Sequence, residues 1–164
     1  MLIVVKKRNE LSFGKLMDVY CEGNLENGQE NYPDEPPHRQ IALAEQDFYN
    51  YLQQVFFKTD GAACLIWEEK GCYISALRLE PYRDGLLLEA LETVPQHRKK
   101  GYGAQLVRAA LDFAGDLRVY SHVNKRNTAS LRTHEKCGFV KILDYAVYAD
   151  GSVNDRCITL CSQA

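Results

Sequence analysis

The chain has 164 residues, enough to bury a substantial core as one domain over 1–164 and short for two. Twenty Lys and Arg against 22 Asp and Glu leave a formal net charge of -2. No overall field therefore draws the protein to nucleic acid or an anionic membrane, and any anion binding has to be local. The six cysteines lack CxxC spacing and read as free thiols, and no apolar run has the length of a signal h-region or a membrane helix, which together point to a reducing cytoplasm.

In chain order, "LIVVKK" at 2–7 predicts an opening strand, and Leu16, Val19 and Tyr20 share the face of a following helix. The stretch 21–40, "CEGNLENGQENYPDEPPHRQ", collects Gly, Asn, Pro and five acids with almost nothing apolar. It predicts a long mobile loop, a candidate lid whose charges either screen for cationic acceptors or are simply solvated. Phe48, Tyr51, Leu52, Val55 and Phe56 recur at helical spacing, so a second amphipathic helix closes near Lys58, with Gly61 beyond it. Residues 63–69, 72–82 and 85–94 predict three successive strands joined by Lys70-Gly71 and Asp84-Gly85 turns, an antiparallel meander. A helix follows as far as Gly115, burying Leu106, Val107, Ala110, Leu111 and Ala114. A strand at 117–123, a helix at 127–137 and a hairpin turning at Asp150-Gly151 complete an α/β pattern.

The run "HRKKGYGAQLV" at 97–107 stands where a strand hands over to a helix. The first N–H groups of a helix have no partner within it, and glycines let a phosphate approach them. With Arg98, Lys99 and Lys100 beside them, a pyrophosphate is the natural ligand. A dinucleotide fingerprint fails because Leu106 stands at the third glycine position, and no P-loop lysine follows. A plain basic surface turn remains the competing reading.

"RKKGYG" at 98–103 resembles the Arg/Gln-x-x-Gly-x-Gly/Ala signature of the GCN5-related N-acetyltransferases, and "NTASLRTHEKCGF" at 127–139 is similar to that family's later helix. The resemblance is clear over about 63–145. It implies a mixed, mainly antiparallel sheet flanked by helices and splayed between the strands at 85–94 and 117–123, with acetyl-CoA in the gap. The backbone of Lys99, Lys100, Gly101, Tyr102, Gly103 and Ala104 would hold the pyrophosphate beside Arg98. The main chain of Leu91, Glu92 and Thr93 would pair with pantetheine, although Thr93 stands where valine is common.

Acetyl transfer needs a neutral amine, an oxyanion stabiliser and a proton for the thiolate. Glu89 shares strand parity with Leu91 and is expected on the pantetheine side as a candidate base, whereas Glu92 points away as a solvated charge unless a bulge shifts the parity. His134 occupies the place of the family's tyrosine acid, and Asn127, Ser130 and His134 share one helical face toward the cofactor, Asn127 also reading as a helix cap. His122 is a third candidate acid or base, with Tyr120 on the same side.

The leading expectation is an acetyl-CoA-dependent N-acetyltransferase acting on a primary amine of unidentified structure, by direct attack in a ternary complex. It expects no metal, no nucleic acid and no membrane partner, and leaves a homodimer open. The alternative is a non-catalytic acyl-CoA sensor or scaffold of the same fold, because binding and catalysis use different residues.

Overall fold

The computed structural model describes residues 1–163. Its main sheet has seven strands in the order β1 (Leu2–Val5), β2 (Ala63–Glu69), β3 (Cys72–Tyr82), β4 (Gly85–Thr93), β5 (Arg118–Asn124), β9 (Cys157–Ser162) and β6 (Phe139–Leu143). Every neighbouring pair is antiparallel except β4 with β5. The alternation within the strands sorts the core into two layers. Cys64, Ile66, Ile74 and Ala76 pack with Leu16 and Val19 from α1 (Phe13–Val19), Leu52 from α3 (Pro37–Gln54) and Phe56 from the short helical turn Phe56–Lys58 that follows it. Their neighbours Leu65, Leu77, Leu79 and Leu88 pack with Leu106, Val107 and Ala110 from α4 (Tyr102–Ala114).

Residues 21–40 overturn the expectation of a mobile loop: Cys21–Asn31 is a helix, α2, and α3 begins at Pro37. The stretch is nearly devoid of apolar side chains, so its helicity comes from close packing on α3, as is usual where local propensity is weak. Gly28 is the contact point, since a Cβ there would stand 2.5 Å from the Gln40 carbonyl oxygen. A residue type that reads as a breaker is here a point of backbone approach.

Two irregularities shape β4. Its pairing with β5 covers only Gly85–Leu88 against Arg118–Ser121, after which the two strands part. At the same place a bulge interrupts β3–β4: Arg78 pairs with Glu89 and Ala76 with Glu92, so Ala90 and Leu91 have no partners in the register, and Ala90 is left-handed at φ 50°. A bulge bends its strand and resets which way the following side chains point. The result is a wedge-shaped gap between β4 and β5.

The C-terminal hairpin exists in altered form. The Asp150-Gly151 turn joins β7 (Ala146–Val147) and β8 (Val153–Asn154), a small separate ladder, while the long arms β6 and β9 pair in the main sheet. β9 thus inserts between β5 and β6, giving β5 a partner on the side away from the gap.

Candidate active site

The glycine turn opens one side of the gap. Lys99 and Gly101 are left-handed, at φ 60° and 89°, and α4 starts at Tyr102. Its first internal hydrogen bond closes from Gln105 N–H to Gly101 O, leaving the Tyr102, Gly103 and Ala104 N–H groups facing outward. The space in front of them is free. An added Cβ at Gly101 would meet nothing within 4 Å, and one at Gly103 would meet only Thr133 Cγ2 and Thr93 Oγ1, at 3.8 and 3.9 Å. Orphan donors, a helix N-terminus and the exposed Lys99 and Lys100 fit a pyrophosphate. Tyr102 turns away, donating to Glu69 Oε1 at 2.8 Å.

Arg98 is otherwise engaged. Its Nε donates to the Thr93 carbonyl at 3.0 Å and its Nη2 to Glu22 Oε2 of α2 at 2.5 Å. The glycine turn and α2 are therefore joined by one side chain.

The bulge corrects two expectations on β4. Leu91 packs with the α4 layer, whereas Glu89 pairs with Arg78 (3.9 Å) on the opposite face, so Glu89 and Leu91 do not share a side. Glu92, expected to be solvated, is partly buried on that same opposite face. Burial is the main reason its carboxyl is pushed up to about 7, with Glu22 and Glu26 adding to the rise and Arg98 opposing it. Glu80, beside Glu89, is likewise raised to about 7, first by burial and then by the Glu89 charge. Thr93 remains by the glycine turn, near Gly103.

Asn127 caps α5 (Thr128–Lys136), its Oδ1 accepting the Ser130 N–H at 3.0 Å. His134 is 1% exposed and packs edge-on against Phe139. Its Nδ1 lies 2.8 Å from the Ser130 carbonyl and must donate there, which leaves Nε2 as a buried lone pair without a partner. Burial lowers its pKa against the backbone hydrogen bond, so the ring is held neutral near neutral pH. His122 lies between the rings of Tyr82 and Tyr148, each edge-on with centroids 5.4 Å apart, and both its nitrogens lack partners. Burial and Arg83 lower its pKa too.

On the Glu92 face lies a cavity of about 300 Å³ between α2, α3 and the bulge. Gly23, Asn24, Asn27 and Asn31 form its α2 wall, and Ala44, Asp47, Phe48 and Tyr51 its α3 wall, both at helical spacing. Tyr20, Arg78, Ala90 and Glu92 close its inner end, with the Tyr20 hydroxyl donating to the Ala90 carbonyl at 2.7 Å. Sequence reasoning missed Tyr20, Asp47 and Arg78. The i, i+3, i+4, i+7 set at 44, 47, 48 and 51 was a usable signal, but the α2 wall had none once that segment read as a loop. Among the described residues no helix is long and apolar enough to cross a membrane, and no group of three His, Cys, Asp or Glu side chains is placed to hold a metal ion.

Solved structures with this fold share little sequence with the chain. The PaiA N-acetyltransferase of Thermoplasma acidophilum, in complex with coenzyme A, superposes with a TM-score of 0.65 at 15% identity, covering 100% of this chain and 99% of its own. An aminoglycoside 6'-acetyltransferase type Ii gives 0.66 at 14% identity, covering 99% and 96%. A spermidine N-acetyltransferase chimera from Vibrio cholerae and hSSAT gives 0.60 at 20% identity, covering 98% and 94%. No curated protein matches the chain. The sequence model of the acetyltransferase (GNAT) family matches residues 23–139, well over half of the chain, and the protein belongs to that family.

Proposed function

We propose that this N-acetyltransferase moves the acetyl group of acetyl-CoA directly to a primary amine, with both substrates bound at once. The observation that carries the reading is the parting of β4 and β5 at the bulge, where the glycine turn opens on one side of the sheet and the cavity on the other. The Tyr102, Gly103 and Ala104 N–H groups, with Lys99 and Lys100, would hold the pyrophosphate, and the main chain of Leu91, Glu92 and Thr93 the pantetheine arm. The similar Thermoplasma enzyme, in complex with coenzyme A, supports an acyl-CoA donor.

The amine nitrogen forms its bond to the thioester carbon as the carbon–sulfur bond breaks. The proton lost by nitrogen goes to Glu92, whose carboxyl, near 7, is matched to a base working at neutral pH. Glu89 is paired with Arg78 on the same face of the sheet. Ala90 and Leu91, which have no partners in the ladder register, would offer their backbone N–H groups to the oxyanion. The departing thiolate takes its proton from solvent, because His134, buried and neutral with its one N–H given to the Ser130 carbonyl, would have none to transfer and would serve instead to pack the cleft end of its helix. His122, between Tyr82 and Tyr148, would line the amine's route. All of this sits within one domain over 1–164, in a reducing cytoplasm, a setting supported by six free cysteines.

The test is incubation with acetyl-CoA and a panel of primary amines, reading amide by mass spectrometry and free thiol colorimetrically. Matched formation of both is expected. Binding of acetyl-CoA with no amine turned over would favour the sensor or scaffold reading instead.

A further inference from the structure

The cavity's polar groups are unevenly assigned. Asn24 is 4% exposed, and its Nδ2 is spent on the Met17 sulfur at 3.3 Å, so the amide presents its carbonyl oxygen to the cavity it lines. Asp47 Oδ2 accepts the Tyr32 hydroxyl at 2.5 Å, leaving Oδ1 free of that contact. The Glu92 carboxyl is perturbed by burial and by charges, with no hydrogen bond among the causes. Tyr20 spends its proton on the Ala90 carbonyl. The cationic wall residue, Arg78, is balanced by Glu89 and Glu80, and its guanidinium is stacked over Phe48, Tyr51 and Phe56 at 5.1, 5.4 and 5.9 Å. What remains open to a guest is two carboxylates, the Asn24 carbonyl and the amides of Asn27 and Asn31, with the cation already balanced, and this excess of negative charge suits an ammonium group and disfavours a carboxylate.

The acceptors are also spread along an axis. Glu92 meets α2 at Gly23, where an added Cβ would stand 2.7 Å from Oε1. Asp47 meets the chain at Tyr32, one residue past Asn31 at the other end of the α2 wall. Eight residues of α-helix separate Gly23 from Asn31, a rise of about 12 Å. One carboxylate therefore serves each end of an elongated cavity, with Asn24 and Asn27 between them and Phe48 and Tyr51 along the side.

We propose that the amine acceptor is a linear aliphatic polyamine, one ammonium group presented at Glu92 for reaction and a second held at the Asp47 end. The assignment rests on the cavity being the acceptor site of the transferase proposed above. Methylene segments would lie against Phe48 and Tyr51, and each charge would meet a carboxylate that no basic side chain neutralises directly.

Calorimetric titration of the 164-residue protein with spermidine, 1,4-diaminobutane and butylamine, each with and without saturating coenzyme A, tests this. Spermidine is expected to bind at least about tenfold tighter than butylamine, a difference of 1.4 kcal/mol. Asp47→Asn should remove that preference. Asn31→Lys, an exposed substitution that adds a like charge at the far end and spares the core, should do the same. Equal affinities for the three amines, or a preference untouched by both variants, would overturn the proposal. A separate titration with acetyl-CoA alone distinguishes the two readings. Polyamine binding without acetyl-CoA binding would leave the cation site and remove the transferase, and the converse would remove the polyamine alone.

Discussion

Gly101 and Gly103 at the start of α4, and Gly23 and Gly28 within α2, are the same residue type in two physical situations. In the first pair the missing side chain leaves room that the protein does not use: nothing stands within 4 Å of an added Cβ at Gly101, and only ordinary contacts at Gly103. In the second pair the protein fills the room itself, with Glu92 against Gly23 and the Gln40 backbone against Gly28. An unfilled glycine beside orphan N–H groups marks a place for a ligand. A filled one marks a place where two elements touch, and α2 becomes a wall of the cavity because of it.

The sharpest way to break this contrast is to give both kinds of glycine a side chain. Gly28→Val should destabilise the protein by at least about 2 kcal/mol, because backbone yields less readily than a side-chain tip. Chemical denaturation measures this, and an unchanged midpoint would mean that α2 does not need the close approach. Glu92→Gln probes the other filled position by chemistry. We expect kcat to fall about a hundredfold, within the range for loss of a general base. The wild-type rate should rise with pH through about 7 as Glu92 deprotonates, and this limb should vanish in the variant. Stability runs the opposite way. Carboxyls raised to about 7 in the folded state, Glu80 and Glu92, contribute stability that is present at low pH and lost as pH rises from about 4.3 through about 7. The smallest effect belongs to Glu22→Gln, which loosens the exposed pair joining α2 to Arg98. Such pairs contribute about 1 kcal/mol or less, so the Michaelis constant for the amine should shift by no more than about fivefold with kcat retained.

Where the sequence was legible, a local rule and the tertiary structure agreed. The apolar runs in 63–69 and 85–94, turn residues at Lys70-Gly71 and Asp84-Gly85, and the apolar face of 106–114 all correspond to elements of the fold. The glycine turn was legible because its requirement, backbone N–H groups with nothing in front of them, is met within a few adjacent residues. α2 was not, since its reasons for being helical are the Gln40 backbone and Glu92, distant in sequence and silent in composition. The bulge was equally hidden. One extra residue between Glu89 and Glu92 places both acids on the cavity face, and period-two counting cannot see it. His134 was located correctly on its helix, but its tautomer and its neutral state depend on the Ser130 carbonyl and on burial.

The central claim is that the open glycines face an acyl donor. Calorimetric titration of acetyl-CoA into the wild-type protein and into Gly103→Val, with both shown to be folded, tests it directly. The account predicts binding by the wild type and a loss of at least about tenfold in the variant, whose side chain would stand in the room that Gly103 leaves free. Equal affinity in a folded Gly103→Val protein would contradict it.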